Sequence, residues 1–260
     1  EYSGQAAATF AYQRLGIRRA ATINDGDIYT RGLTEGFAHT FAKLGGTIVL
    51  DAAIDKGDQE MGPVLTAVAN SRAELVFFPL FQPEGNLLLT QARQMPQLAD
   101  IALMSDGALI ENSFITAMGN LARGMYFVGP TSAATARSDQ LATTYRATFA
   151  TAPSASYYQN AFDAAQLLFA AIERAAVVRP DGGLVMGREK LRQTLYQSQG
   201  IDGVTGRLDC NAFGDCAAPQ FNVLRLDAPE RGVEGLLTNI LFTLSPNHQS
   251  PAPAPSQKRP

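Results

Sequence analysis

The fold is decided by the segment IRRAATIN, residues 17–24, and by the residues DGDIYTRG, 25–32, that follow it. The first piece ends in a short apolar run that predicts a buried strand, and the second begins a helix. The same order of strand and helix recurs, and the predicted strands are Ile17–Asn24, Thr47–Asp51, Glu74–Pro79, Ile101–Met104 and Gly124–Val128. Short apolar strands that alternate with helical patterns predict a doubly wound parallel sheet of the α/β class.

Helical patterns flank each of these strands. The predicted helices are Gly4–Leu15, Thr30–Leu44, Glu60–Ser71, Glu84–Gln94 and Ile110–Met118. Each is long enough to cross over a sheet and return to its starting edge, as a parallel connection requires.

Composition excludes several classes of protein. The chain has 260 residues, of which 46% are hydrophobic and 17% are charged, and its net charge is −3. Such a chain is long enough for one large or two modest domains. The acidic balance implies no basic face, so a nucleic acid is a poor candidate for a partner. No apolar run approaches the roughly 18 residues of a membrane span, and no signal peptide is visible.

The pattern changes after Pro130, where helices predominate. The predicted helices are Asp139–Ala150, Tyr157–Ala176 and Gly187–Gln197, and their apolar faces require a partner to bury them. A strand pair is predicted next, at Thr205–Cys210 and Gln220–Leu226, joined by a loop that contains both cysteines. The tail, residues 246–260, is rich in Pro, Ser, Gln and Ala, which predicts disorder.

Two cysteines, Cys210 and Cys216, enclose five residues that include Gly214. This spacing suits a disulfide that closes the hairpin loop, which would indicate an oxidising compartment. Two separate reduced thiols are the alternative. A metal site is a weaker alternative, because no His or further Cys lies nearby to complete it.

The usual signatures of an enzyme are missing from the sequence. The turn after the first strand has no Gly-x-Gly-x-x-Gly fingerprint, and the sequence has neither a phosphate-binding loop nor a Gly-x-Ser-x-Gly elbow. His39 lies on a predicted helix surface and His248 in the tail, so an enzyme would depend on carboxylates alone.

Polar and aromatic side chains follow the predicted strands instead. Asp25, Asp27 and Tyr29 follow the first strand, Phe81 follows the third, and Asp106 follows the fourth. Ligands of such sheets bind beyond the carboxyl ends of the strands. Aromatic walls with a few placed polar groups predict a binding site for a small zwitterion or amine. Alternatively, Asp25 and Asp106 cap helices, and Tyr29 and Phe81 belong to the core.

These residues also resemble a known family, the periplasmic binding proteins for leucine, isoleucine and valine, which are type I solute receptors of ABC importers. The resemblance runs in order over about residues 1–226. The motifs that carry it are Asn24-Asp25-Gly-Asp-Ile-Tyr29, Leu75-Val-Phe-Phe-Pro-Leu-Phe-Gln-Pro83-Glu84, Ser105-Asp106-Gly107, Asn160-Ala-Phe162-Asp163-Ala164 and Gly203-Val-Thr-Gly206 with Phe213-Gly214-Asp215.

The resemblance implies two α/β lobes, joined by three crossings, that close on an amino acid. Residues 1–130 with 215–245 correspond to the second lobe, and residues 131–214 to helices of the first. The strand–helix series that begins the family's first lobe, and that carries the groups for the ligand carboxylate, is missing here.

The resemblance also implies roles for individual residues. Tyr29 falls on a ligand-facing tyrosine, Phe81 on an aromatic position, and Asp106 on the acidic residue that pairs with the ligand ammonium. Gln159 falls on a position near the ligand side chain where the family has an aromatic residue.

We therefore expect the substrate-binding component of an ABC importer. It would capture a branched-chain or related amino acid, deliver it to a membrane permease, and use no cofactor and no catalytic residue. Its expected location is periplasmic, or anchored by lipid outside the cytoplasm. The alternatives are a ligand sensor of the same fold and a small α/β enzyme that uses Asp25 or Asp106 as a base.

Overall fold

A computed structural model describes residues 2–131, 135–217 and 220–245 of the chain. The helices are α1 (Tyr2–Gln13), α2 (Ile28–Lys43), α3 (Gly62–Ser71), α4 (Glu84–Arg93), α5 (Asn112–Met118), α6 (Ala136–Phe149), α7 (Tyr158–Ala175), α8 (Arg188–Tyr196) and α9 (Gly232–Thr238). The strands are β1 (Arg19–Asn24), β2 (Thr47–Ala53), β3 (Leu75–Phe77), β4 (Ala102–Asp106), β5 (Tyr126–Pro130), β6 (Val177–Val178), β7 (Leu184–Val185), β8 (Ile201–Asp202), β9 (Arg207–Leu208), β10 (Phe221–Arg225) and β11 (Ile240–Leu244). The predicted disordered tail, 246–260, lies outside the described residues.

One main sheet organises the chain, with strand order β11-β10-β5-β4-β3-β1-β2. The predicted parallel sheet is confirmed for β1 to β5, which pair in parallel. At one edge β10 pairs antiparallel with β5, and β11 pairs antiparallel with β10. The sheet is therefore mostly parallel rather than wholly so.

Helices cover both faces of this sheet. Neighbouring strand residues alternate between two apolar clusters, so that Val76 and Phe127 belong to one cluster while Phe77 and Val128 belong to the other. The first cluster packs under α3, α4, α5 and α9, and the second under α1 and α2. Gly4 lets α1 approach α2 closely, because a Cβ there would lie 2.3 Å from the backbone oxygen of Leu33.

The predicted hairpin through the cysteine loop is wrong. β9 pairs with β8, whereas β10 pairs with β5 and β11 in the main sheet. The reason is burial: Asn222, Val223 and Leu224 are all buried, so β10 needs neighbours on both sides and apolar layers above and below. A two-stranded hairpin offers neither.

Residues 135–217 contribute no strand to the main sheet within the described part of the chain. Their helices α6, α7 and α8 agree with the predicted ones within a few residues. Large apolar side chains of this segment remain exposed, among them Phe149 and Phe169. The expectation that these helices require a further apolar partner therefore stays open.

Within residues 135–217, one buried carboxylate connects α7 to the turn between β8 and β9. Asp163, on α7, accepts hydrogen bonds from the backbone N–H of Val204 and of Thr205 and from the Thr205 hydroxyl, at 2.6–2.9 Å. Gly203 must be glycine for this contact, since a Cβ there would lie 2.5 Å from a carboxylate oxygen of Asp163. Asp163 thereby fixes the turn between β8 and β9 on α7.

Candidate functional site

The turn between β1 and α2 positions the first site residue. The side chain of Asp27 accepts a hydrogen bond of 2.9 Å from the backbone N–H of Tyr29 and so caps α2. Asp25 accepts a 2.5 Å hydrogen bond from the Thr30 hydroxyl. Gly26 has a φ of +76°, which an L side chain rarely adopts. This turn holds Tyr29 in the first turn of α2, beyond the carboxyl end of β1.

Asp106 ends β4 and is completely buried. Its Oδ2 accepts a 2.5 Å hydrogen bond from the Tyr29 hydroxyl, and its Oδ1 accepts a long one, 3.3 Å, from the backbone N–H of Ala108. Asp106 therefore caps the short 3₁₀ turn that follows β4, as the capping alternative expected, and it also faces Tyr29. Asp25 does not cap α2, because Asp27 does.

Phe81 lies beside Tyr29, with the two ring centroids 5.5 Å apart. Both side chains are partly exposed, Tyr29 by 38% and Phe81 by 42%. They are therefore not core residues, and that alternative is wrong. The structure brings Tyr29, Phe81 and Asp106 together at the carboxyl edge of the sheet.

A fourth residue, Tyr157, joins this group, although sequence reasoning missed it. Its ring lies against Gly107, where a Cβ would come within 2.4 Å of a ring carbon, and its side chain lies near Tyr29 and Asp106. The available signal was its position as the first residue of the predicted helix Tyr157–Ala176, directly before α7 in the structure. We call Tyr29, Phe81, Asp106 and Tyr157 the aromatic cleft.

Gln159 makes its hydrogen bond elsewhere. It is buried, and its Nε2 donates to the Tyr158 hydroxyl at 3.0 Å. Its Oε1 has no hydrogen-bond partner among the residues that the structure describes. Tyr157, two positions earlier, lies against Gly107 instead, so a ligand role for Gln159 stays a prediction.

Burial dominates the electrostatics of the aromatic cleft. It raises the pKa of Asp106 to about 6, although the hydrogen bond from Tyr29 and backbone N–H groups act in the opposite direction. Burial also raises the pKa of Tyr157 to about 12 and, together with the charge of Asp106, raises that of Tyr29. Both tyrosines thus remain neutral, and a cation beside Asp106 would favour its charged form.

The cleft presents three partly exposed aromatic side chains, two of which carry a hydroxyl group, beside the buried carboxyl of Asp106. Within residues 2–131, 135–217 and 220–245, no group of three or more His, Cys, Asp or Glu side chains could hold a metal ion. The same ranges contain no helix with both the length and the apolar character of a membrane span.

Comparisons with known proteins give the family. A model of the periplasmic binding protein family matches residues 1–221. The Leu/Ile/Val-binding protein BraC3 of Rhizobium johnstonii is 27% identical over 228 residues, which are 88% of this chain and 59% of that protein. The Leu/Ile/Val-binding protein homolog 3 of Brucella melitensis is 25% identical over 223 residues, 85% of this chain and 57% of that protein.

Solved structures show the same fold. The leucine-binding protein LivK of Thermotoga maritima superposes with a TM-score of 0.78 at 22% identity, covering 94% of this chain and 65% of that one. A solute-binding protein of an ABC transporter from R. palustris, solved with benzoate, superposes with a TM-score of 0.69 at 20% identity, covering 86% and 59% of the two chains.

The chain therefore spans about three fifths of the length of the curated relatives it matches, 59% and 57%. The relatives are binding proteins and the family does no chemistry, so the enzyme alternative is set aside. The family match over residues 1–221, together with the mostly parallel α/β sheet, shows that this chain belongs to the periplasmic binding protein family.

Proposed function

We propose that this chain is part of the substrate-binding component of an ABC importer, and that its aromatic cleft binds the ammonium end of a branched-chain or related amino acid. Tyr29, Phe81 and Asp106 would contact the ligand directly, and Tyr157 would close the cleft beside Asp106. The two relatives are named for leucine, isoleucine and valine, which supports an aliphatic amino acid.

The observation that carries this proposal is the buried carboxylate of Asp106. A carboxylate without a cationic partner is costly to bury, and here its neighbours are two neutral tyrosines. An ammonium group would supply the missing charge and would donate to the free lone pairs of the carboxylate. The ring faces of Tyr29 and Phe81 offer further attraction to a cation or apolar contact to its side chain.

The same carboxylate argues against an anionic ligand without an amine. The R. palustris neighbour was solved with benzoate, which has no amine. In the present chain a benzoate carboxylate near Asp106 would face a like charge in a buried place, which is unfavourable. The ammonium group of an amino acid would supply the positive charge that Asp106 lacks, whereas an aromatic acid without an amine would not.

Capture of the ligand would follow from closure of two lobes. We propose that residues 1–130 with 215–245 form one lobe, and that residues 131–214 belong to the other. The chain leaves the main sheet at Pro130 and re-enters it at Phe221, and these two residues pair with each other. Glu111 also forms a β-bridge with Ala155, which lies between α6 and α7. The groups for the ligand carboxylate would come from residues that the relatives have and these 260 do not include.

The proposed role in transport and the proposed location rest on the family match rather than on the cleft. A membrane permease would receive the ligand, and the protein would be periplasmic or anchored by lipid outside the cytoplasm. The disulfide between Cys210 and Cys216 supports an oxidising compartment. A sensor of the same fold would use the same cleft, and it differs only in the partner that the closed form contacts.

Isothermal titration calorimetry on the full-length protein tests the proposal. We expect L-leucine, L-isoleucine or L-valine to bind and benzoate to give no heat of binding. Binding of benzoate without binding of any of these amino acids would contradict it. Uptake measurements in cells that lack the protein would then separate an importer from a sensor.

A further inference from the structure

The carboxyl group of Asp106 is enclosed on all sides by residues of this chain. Asp106 is 0% exposed, although it ends a strand at the edge of the sheet where the aromatic cleft lies. This burial is complete within the described residues alone, so it does not depend on the parts of the relatives that the 260 residues do not include. A ligand of Asp106 therefore meets a carboxyl group that has already been removed from solvent.

Two tyrosines are the titratable side chains that face this carboxyl group. From α2, the Tyr29 hydroxyl donates a hydrogen bond to its Oδ2. From the segment before α7, Tyr157 lies against Gly107, the next residue in the chain. Burial raises the pKa of Tyr157 to about 12 and also raises that of Tyr29, so both side chains are neutral.

The other elements around Asp106 contribute no charge. Across the sheet, β5 places Val128 opposite Asp106. On the other side of β4, the chain after β3 places Phe78 beside Met104, and the 3₁₀ turn contributes backbone N–H groups. In the described ranges no Lys, Arg or His forms an ion pair with Asp106.

This enclosure favours the neutral form of the carboxyl group. A buried carboxylate without a cation is costly, and the hydrogen bonds from Tyr29 and from backbone N–H groups offset only part of that cost. The pKa of Asp106 is accordingly raised to about 6 by burial. At mildly acid pH the group is thus a carboxylic acid, which has no charge to offer a ligand.

An ammonium group reverses this balance. Oδ1 accepts only a long hydrogen bond, 3.3 Å, from the backbone N–H of Ala108, so it is the oxygen that remains for a further donor. A protonated carboxyl group has fewer acceptor sites and no charge, and an adjacent cation favours the ionised form. The proton and the ammonium group therefore compete for the same carboxylate.

We propose that binding of the amino acid expels a proton from Asp106, so that the protein loads its ligand near neutral pH and releases it in acid. The O–H bond of the carboxyl group breaks, its proton passes to water or buffer, and the carboxylate receives the ammonium group, which keeps its own three N–H bonds. This inference rests on the proposed function, because it requires an amino group at Asp106.

Isothermal titration calorimetry of the full-length protein with L-leucine tests the exchange. The titrations are made at about pH 5 and about pH 7.5, each in two buffers that differ in ionisation enthalpy, so that the difference in heat gives the number of protons released. The ammonium and the carboxylate of leucine keep their charges between these pH values. We expect release of about one proton at the lower pH and almost none at the higher, with about tenfold weaker binding at the lower pH.

Tyr29→Phe distinguishes Asp106 from any other source of the proton. Phe keeps a ring beside Phe81 but lacks the hydroxyl that favours the ionised form of Asp106. We therefore expect the pH at which proton release is half-maximal to rise in this variant, whatever happens to the affinity. Glu35→Gln removes an exposed acid from the same helix and should keep the wild-type midpoint.

Each outcome decides between the two proposals. Leucine binding with no proton release and equal affinity at both pH values would overturn the exchange and leave the proposed function standing. An unchanged midpoint in Tyr29→Phe, or an equal shift in Glu35→Gln, would also overturn it, because another group would then release the proton. A wild-type protein that binds no amino acid at either pH would overturn the proposed function and the exchange with it.

Discussion

The hydroxyl of Tyr29 donates a 2.5 Å hydrogen bond to the carboxylate of Asp106, although 77 positions separate the two residues in the sequence. The parallel sheet produces this contact, because β1 and β4 both end at the same edge, with β3 between them. The contact places a neutral donor beside a buried acid in a cleft that is otherwise aromatic.

Replacing Asp106 by Asn should weaken amino acid binding strongly. Asn keeps the shape and one acceptor but removes the negative charge, so a bound ammonium would be buried without its counter-ion. We expect a loss of roughly 2–5 kcal/mol in the free energy of binding of L-leucine, measured by calorimetry on the full-length protein. Glu35→Gln, an exposed change on α2, is the control; unchanged affinity of Asp106→Asn would remove Asp106 from the site.

The unliganded protein should become less stable as the pH rises through the pKa of Asp106. The folded state raises this pKa from 3.8 to about 6 because the carboxyl is buried. The folded state therefore holds the proton more tightly than the unfolded state, and stability that is present below pH 3.8 is lost as the pH rises through 6.

The whole effect is about 3 kcal/mol, because the pKa rises from 3.8 to about 6 and each pKa unit corresponds to 1.36 kcal/mol. Urea unfolding of wild type and Asp106→Asn at about pH 4.5 and about pH 7.5 captures about 2 kcal/mol of it, because the unfolded carboxyl is already mostly ionised at the lower pH. The wild type should lose stability over this interval relative to the variant. If both proteins change with pH in parallel, Asp106 does not titrate as proposed.

Gly107→Ala should disturb the aromatic cleft through Tyr157. A Cβ at position 107 would lie 2.4 Å from a carbon of the Tyr157 ring, so the ring must move away from its place beside Asp106. Forcing side chains apart in this way destabilises proteins by about 1–3 kcal/mol, which thermal unfolding would detect. Gly32→Ala is the control, because a Cβ there meets nothing within 4 Å. Equal melting temperatures for the two variants would show that Tyr157 does not sit on Gly107.

Reduction of the disulfide should lower stability only moderately. The loop between Cys210 and Cys216 is short, so closing it removes little entropy from the unfolded chain, about 2 kcal/mol or less. Chemical unfolding with and without reductant measures the difference. A thiol assay on unreduced protein should find no free cysteine, and two reactive thiols would remove the main support within the chain for an oxidising compartment.

Much of the sheet could be predicted because its signals are local. β1 to β5 are short apolar runs whose alternate residues enter both faces, such as Val76 and Phe77, and each is bounded by turn residues. Tyr29, Phe81 and Asp106 could be predicted because they directly follow strands whose shared edge is implied by a parallel sheet.

The wrong and the missing predictions concern strand pairing, short elements and helix register, which local sequence does not determine. β10 is close to β9 in sequence but pairs with β5, more than 90 positions earlier, because only the main sheet buries both of its faces. α9 and β11 were missed because the helix is only seven residues long, with glycines at 232 and 235, and the edge strand is partly exposed. Tyr157 was missed because the resemblance pointed to Gln159, two residues later. A match at the start of a helix does not fix the helix register to within two residues.

The exposed apolar residues of the helical segment should have a partner in the full-length protein. As an isolated 260-residue chain, the protein should therefore bind a hydrophobic dye or self-associate, whereas the full-length protein should not. Dye fluorescence and light scattering of both forms test this expectation. A dye-silent, monomeric 260-residue chain with tight amino acid binding would show that the chain completes both lobes itself.

The central claim is that Asp106 receives the ammonium group of an amino acid, and a crystal structure of the full-length protein with L-leucine tests it most directly. We expect the leucine nitrogen within about 3 Å of the Asp106 carboxylate, with the rings of Tyr29 and Phe81 beside the ligand. Leucine bound with its nitrogen elsewhere, while Asp106 keeps only its hydrogen bond from Tyr29, would contradict the claim.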